Sequence, residues 1–233
     1  MNQADIPVEG FTTAEARAQQ EVLRHLVDER DLVGEVRTVG SVDVHFPDKF
    51  SAHAVAVLLD YPTLQPVAVA QVVQPVTFPY VPGLLTYREA PAARAALLAL
   101  PHLPDLLLVD GQGRAHPRRC GLACHLGLWL DLPAIGAAKS RLVGESDGPA
   151  HDAGATAPLL DQGEVIGATV RTRAGVKPPY VSVGHRVDLP AAIHWTLACC
   201  RGYRLPEPNR WAHRIAGGGN PPPSVPTCLL DLR

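Results

Sequence analysis

The stretch Asp105-Leu106-Leu107-Leu108-Val109-Asp110-Gly111 constrains the fold more than any other in this chain. Its run of apolar residues leaves no polar face, so the strand it forms must be covered on both sides. That is the pattern of a central parallel strand. An acid closes the run, and Gly111-Gln112-Gly113 turns the chain away from it.

The segments before this strand read as a sheet built in sequence. Thr12-x-x-Glu15 is a capping box, and Ala18, Val22, Leu23 and Leu26 follow at helical spacing, predicting a helix to about Asp31. Val36 to Phe46 alternates: Val42, Val44 and Phe46 share one face, while Asp43 and His45 take the other. Ala52–Asp60 and Val67–Val73, joined at Tyr61-Pro62-Thr63, predict a hairpin. Phe78-Pro79-Tyr80-Val81-Pro82-Gly83 is too proline-rich for helix or strand and reads as a stiff loop presenting an aromatic. A helix then opens at Tyr87-Arg88-Glu89-Ala90-Pro91, with proline in its first turn, and ends near Leu100.

After the central strand, the pattern predicts a helix over Arg119–Trp129 and a strand over Ala134–Lys139. Residues 144–162 read as a surface loop or a partly disordered one. Strands over Val165–Thr172 and Tyr180–Val183 are expected to form a hairpin. Helices follow over Pro190–Cys200, capped by Asp188, and Glu207–Ile215. Residues 1–216 are read as a single domain, and residues 217–233, opening on Gly217-Gly218-Gly219-Asn220-Pro221, as a flexible or extended tail. Three antiparallel strands leading into parallel ones, flanked by helices, make an α/β mixed sheet in the order of a ribonuclease H-like fold.

Bulk properties bound the function loosely. The 233 residues carry 21 Lys+Arg against 23 Asp+Glu, a net charge of −2. That does not point to nucleic acid, nor does it exclude it, because a local basic stripe is enough to hold phosphates. The polar start lacks a secretory signal and the apolar runs are too short to span a bilayer, so a cytoplasmic protein with no membrane partner is expected, as a monomer. Cys120, Cys124, Cys199, Cys200 and Cys228 are then reduced thiols. Cys120-x3-Cys124-His125 lacks the second pair that a structural zinc site needs, so it reads as small residues on a helix.

Asp43 lies mid-strand, Glu89 at a helix start and Asp110 at a strand end. If the first and fourth strands are neighbours, Asp43 and Asp110 stand side by side with Glu89 near them. Like charges in a half-buried site repel unless a cation lies between them, and oxygen ligands of this kind select Mg²⁺ or Mn²⁺. The constellation suggests hydrolytic phosphoryl transfer. Read singly, each acid is also explicable as a cap, a turn residue or a solvated charge.

Longer motifs make the reading specific. Val42-Asp43-Val44, Phe78 to Glu89 (FPYVPGLLTYRE), Leu108 to Arg119 (LVDGQGRAHPRR), Gly121-Leu122-Ala123-x-His125-Leu126-Gly127, Ala138-Lys139-Ser140-Arg141-Leu142 and Ala212-His213-Arg214 together resemble the endonuclease V family, in the family's order. The likeness runs from the first helix to about Ala216.

The resemblance implies a metal-dependent DNA repair endonuclease using Mg²⁺, with Mn²⁺ able to substitute. It would hydrolyse the second phosphodiester bond 3′ to deoxyinosine and leave 3′-hydroxyl and 5′-phosphate ends. It makes Asp43, Asp110 and Glu89 the metal-binding acids. Lys139 and His213 fall near the scissile phosphate, with His116 close by. Pro79, Tyr80, Val81, Pro82 and Gly83 match a wedge loop whose aromatic enters the base stack. Inosine carries a carbonyl where adenine carries an amino group, so backbone donors around Gly111, Gly113 and Gly136 are expected to recognise it. Competing readings are a nuclease of inosine-containing RNA, a non-catalytic nucleic-acid-binding relative and a junction resolvase on the same fold. The second of these predicts lost acids, and the third gives no reason for the Tyr80 loop.

Overall fold

A computed structural model describes residues 10–233. The polar opening residues 1–9, read above as lacking a secretory signal, lie outside the described residues. Nine strands form one mixed sheet: β1 (Thr38–His45), β2 (Ser51–Asp60), β3 (Pro66–Pro75), β4 (Leu106–Val109), β5 (Ala134–Ala138), β6 (Thr156–Asp161), β7 (Glu164–Val170), β8 (Tyr180–His185) and β9 (Thr227–Asp231), in the order β6-β7-β8-β5-β4-β1-β2-β3-β9. The helices are α1 (Thr13–Leu23), α2 (Leu85–Leu98), α3 (Leu122–Leu130), α4 (Leu189–Ala198) and α5 (Glu207–Ala216). Strands β1, β2 and β3 are antiparallel, while β4 runs parallel to both β1 and β5. This is the expected ribonuclease H-like arrangement.

The all-apolar β4 sits mid-sheet and is fully buried, as its composition requires. Leu107 and Val109 join the core cluster that includes residues of α2 and α3; Leu106 and Leu108 join the opposite one, with residues of α4 and α5. Asn209, buried in α5, donates from Nδ2 to the Leu108 carbonyl at 3.3 Å and fastens that helix to β4. Among the described residues no helix is long and apolar enough to cross a membrane.

Several expectations are corrected. Helix α1 carries its capping box, but it ends at Leu23 instead of Asp31 and turns Ala16, Gln20 and Leu23 inward, leaving Val22 and Leu26 exposed. The buried stripe accepts a polar residue because the Gln20 side chain is satisfied: Nε2 donates to the Cys120 carbonyl and Oε1 accepts from Arg118. Helix α2 begins two residues before Tyr87, which puts Pro91 beyond the first turn, where it removes a backbone bond. Residues 144–162 are no featureless loop: β6 lies within them and pairs with β7. The buried Arg119 holds that hairpin, reaching Asp161 at 2.8 Å and Glu164 at 2.7 Å. The segment read as a tail contributes β9, which runs parallel to β3 with its side chains exposed. Hydrophobic patterning does not reveal such a strand, because backbone pairing alone holds it.

The cysteines are all free, and Cys120, Cys124 and Cys199 are buried. His125 is packed edge-on to Tyr87 and Trp129, away from any ligand set. Asp105 opens β4 by accepting hydrogen bonds from the Arg37 and Thr38 amides and the Thr38 hydroxyl.

Candidate metal centre and adjoining cleft

The register of β1 and β4 builds the centre. Gly40 lies opposite Leu107 in parallel pairing. Three residues further along each strand stand Asp43 and Asp110, both on the α5 side by strand alternation. Helix α5 carries His213 over them, and its Nδ1 lies 2.8 Å from Asp43 Oδ2. Beyond the end of β5, Lys139 places Nζ 2.5 Å from Asp110 Oδ2 and 3.1 Å from His213 Nδ1. The sheet and α5 thus bring together four of the residues expected from sequence.

Ligand atoms of Asp43, Asp110 and His213 lie within 4.8 Å of one another, the only such group of three or more among the described residues. Asp110 Oδ2 is buried against the Lys139 ammonium. Two carboxylates and an imidazole converging in this way fit a hard divalent cation. Glu89 stands outside the tight group but feels it. Burial, and then the charges of Asp43 and Asp110, push its carboxyl up to about 8. Burial also raises Asp110, and Asp43 adds to that, while Lys139 opposes it. A cation among these acids would offset the repulsion.

A cleft opens beside the centre. Tyr80, Gly83, Leu85 and Thr86 line it from the proline-framed loop and the start of α2. Gly111, Gln112, Gly121 and Leu122 line it from the loop after β4 and the start of α3. Glu89 and Asp110 belong to its wall as well, so cleft and centre are continuous. A larger depression of about 500 Å³ around Glu145, Asp147 and Asp161 contains none of these groups.

The loop carrying Tyr80 is pegged at both ends. Arg88 donates to the Phe78 carbonyl at 2.8 Å, with its guanidinium 4.4 Å from the Phe46 ring centre. The Gly83 carbonyl accepts from His116 Nε2 at 3.0 Å and from Arg118 Nη2 at 2.5 Å. Gly83 has φ +76, a left-handed backbone that suits glycine. Between the pegs Pro79 and Pro82 are exposed, Val81 is half-buried and Tyr80 stands 71% exposed.

His116, expected near the scissile phosphate, is buried with both ring nitrogens engaged: Nε2 on Gly83, Nδ1 accepting from the Arg118 amide. Burial, reinforced by Arg118, lowers it to about 4, so it is neutral at pH 7. Its contacts are those of a residue that holds the loop. Gly113 and Gly136 also depart from expectation, for neither lines the cleft. The Gly113 amide donates to Ser182 Oγ at 2.9 Å, and a Cβ there would lie 2.0 Å from the Val183 carbonyl oxygen. A Cβ on Gly136 would lie 2.5 Å from the Gly113 nitrogen. These two glycines let the loop after β4 lie flat against β5 and β8. Gly111 alone of the three borders the cleft.

Sequence reading assigned no role to Asn209, Arg118, Gln112 or Arg204, all of which hold site elements in place. Arg118 and Gln112 lie inside the quoted motifs; Asn209 and Arg204 carry no local signal.

The family model for Endonuclease V matches residues 20–214. An Endonuclease V of Roseiflexus sp. (strain RS-1) is 51% identical over 209 residues, covering 90% of this chain and 94% of the relative. The crystal structure of Endonuclease V from Streptomyces avermitilis superposes with a TM-score of 0.84 at 47% identity, over 88% of this chain and 92% of that one. A Ciona intestinalis Endonuclease V variant, solved with a 23mer DNA containing an inosine followed by a ribo-adenosine, matches with a TM-score of 0.77 at 27% identity, over 89% of this chain and 99% of that one.

Proposed function

The chain belongs to the endonuclease V family, which makes it a nuclease, and on that premise we propose that it cuts DNA at deoxyinosine, hydrolysing the second phosphodiester bond on the 3′ side with Mg²⁺ and leaving 3′-hydroxyl and 5′-phosphate ends. The observation that carries this is the continuity of the Asp43–Asp110–His213 centre with the cleft beneath Tyr80. The inosine-containing DNA bound by the Ciona relative supports the same substrate.

A divalent cation held by Asp43 and Asp110, with Glu89 and His213 beside them, would polarise a phosphate oxygen and acidify a bound water. Lys139 supplies a compact ammonium to the phosphate oxyanion. His213 is anchored through Nδ1 to Asp43, which leaves Nε2 to orient the attacking water or accept its proton. Tyr80 enters the stack where the modified base leaves it, offsetting part of the unstacking cost. The cleft takes the base. Leu85 and Leu122 open α2 and α3 at its wall; the Tyr87 and Ala123 amides are taken by the Leu84 and Gln112 carbonyls, which leaves the amides of Leu85, Thr86 and Leu122 as the first-turn donors here. Such donors favour the carbonyl of hypoxanthine over the amino group of adenine. His116 and Arg118 hold the loop in register through the Gly83 carbonyl.

A second reading is cleavage of inosine-containing RNA, supported by the ribo-adenosine beside the inosine in the Ciona complex. Cleavage of labelled DNA and RNA strands bearing one inosine, with Mg²⁺, with chelator and with Asp43→Ala, tests both. A single nick beyond the 3′ neighbour of deoxyinosine, lost in both controls, is expected. Cleavage of the RNA alone would favour the second reading, and no cut on either would defeat both.

A further inference from the structure

Lys139 lies one residue past the last strand position of β5, Ala138, which pairs with Tyr180 of β8. Its backbone is held instead by two side-chain donors from distant segments. Arg204, in the connection between α4 and α5, donates from Nη2 to the Lys139 carbonyl. One residue on, the Ser140 carbonyl accepts from Gln112 Nε2 at 2.8 Å. Arg204 is itself fixed: its Nε donates to the Lys177 carbonyl at 2.9 Å, and its own carbonyl accepts from the Thr172 hydroxyl at 2.6 Å. Two residues later the same connection delivers Pro206 and then α5 with His213.

A lysine side chain is long and flexible, so its ammonium is placed only as well as the backbone it grows from. Lys139 Nζ must reach the Asp110 carboxylate, whose Oδ2 lies 2.5 Å away. We propose that Arg204 is a positioning residue for the nuclease reaction: it clamps the Lys139 carbonyl and locks that lysine and the start of α5 into one frame. The proposal rests on the function argued above for its kinetic consequence, but not for its geometric one. Planarity matters, because the guanidinium reaches the two carbonyls through separate nitrogens, Nε and Nη2, held in a rigid fork that the single nitrogen of an ammonium does not reproduce.

The test compares Arg204→Ala and Arg204→Lys in the wild-type and Lys139→Ala backgrounds. Single-turnover nicking of a deoxyinosine duplex is measured alongside affinity for the uncut duplex in chelator. Arg204→Ala is expected to slow nicking about tenfold, as sub-ångström misplacement of a catalytic group does, while affinity changes less than about twofold. Arg204→Lys should recover part of the rate, and adding Arg204→Ala to Lys139→Ala should cost less than about twofold more. An equal loss in both backgrounds, or a loss carried by affinity alone, overturns the proposal. A second readout needs no cleavage. The chain has only three lysines, at positions 49, 139 and 177, so the side-chain NMR signals of labelled lysine are assignable. The Lys139 signal should move in folded Arg204→Gln, which adds no lysine, while Lys49 stays put; an unmoved Lys139 signal overturns the proposal even if Arg204→Ala fails to fold. Wild-type protein inactive on inosine would remove the substrate reading, and the lysine signals would still decide the clamp.

Discussion

Asp43 and Asp110 stand level on neighbouring parallel strands, each three positions past the paired residues Gly40 and Leu107. That equal offset brings two carboxylates from segments far apart in sequence to one end of the sheet, where His213 and Lys139 meet them.

Removing either acid should weaken metal binding and cleavage together. Asp43→Ala and Asp110→Ala are each expected to lower the single-turnover nicking rate by about 10³-fold, as the loss of several kcal/mol of charge stabilisation implies. Mn²⁺ binding followed by electron paramagnetic resonance should weaken in both. Full Mn²⁺ affinity in either variant would exclude that acid as a ligand.

Tyr80 is expected to act on the lesion and not on the chemistry. Tyr80→Ala should weaken binding to a deoxyinosine duplex by roughly 1–3 kcal/mol, the worth of one aromatic stack. Binding to undamaged duplex should barely change. Titration of both duplexes in chelator gives the ratio, and an unchanged ratio would show that the ring is only a surface aromatic.

The glycines separate into two kinds. Gly113→Ala and Gly136→Ala place a Cβ 2.0 Å and 2.5 Å from backbone atoms that cannot yield, so each should lower stability by about 1–3 kcal/mol or more. Gly34→Ala, whose Cβ meets nothing within 4 Å, should be close to neutral. Urea unfolding midpoints check the contrast, and equal midpoints would show that the loop after β4 can shift.

Acid should destabilise the protein through buried neutral histidines. His125 is fully buried without a hydrogen-bond partner, and burial lowers it to about 4 from an ordinary 6.5. The unfolded chain takes up the proton first as pH falls. Stability is therefore intact above about 6.5 and is lost progressively between 6.5 and 4, by up to about 3 kcal/mol from His125 alone. His116, also lowered to about 4, adds a loss in the same window. Melting temperatures from pH 7.5 to 4.5 should show the slope, and His125→Leu should flatten it.

Much of this protein is legible in its sequence because the signals are local. The apolar run before Asp110, the alternation around Asp43 and the proline-framed Tyr80 each fix their own backbone within a few residues. Helix caps at Thr12 and Asp188 work at the same range, and both are found where expected. The motif residues Lys139 and His213 were identifiable by pattern.

What the sequence alone did not determine depends on partners far along the chain. Gln20 lies inside α1's buried stripe only because Cys120 and Arg118, about a hundred residues away, satisfy it. Strand β9 exists by pairing its backbone with β3, which leaves no hydrophobic pattern behind. Gly113 and Gly136 look like recognition glycines until the close approach of β8 and of the loop after β4 is known. Arg204 is 65 residues from Lys139, and no local rule connects them. Local sequence sets backbone conformation and the chemical identity of the site; the tertiary structure decides which distant carbonyl, carboxylate or ring each polar group meets, because those pairings follow from strand register and helix docking.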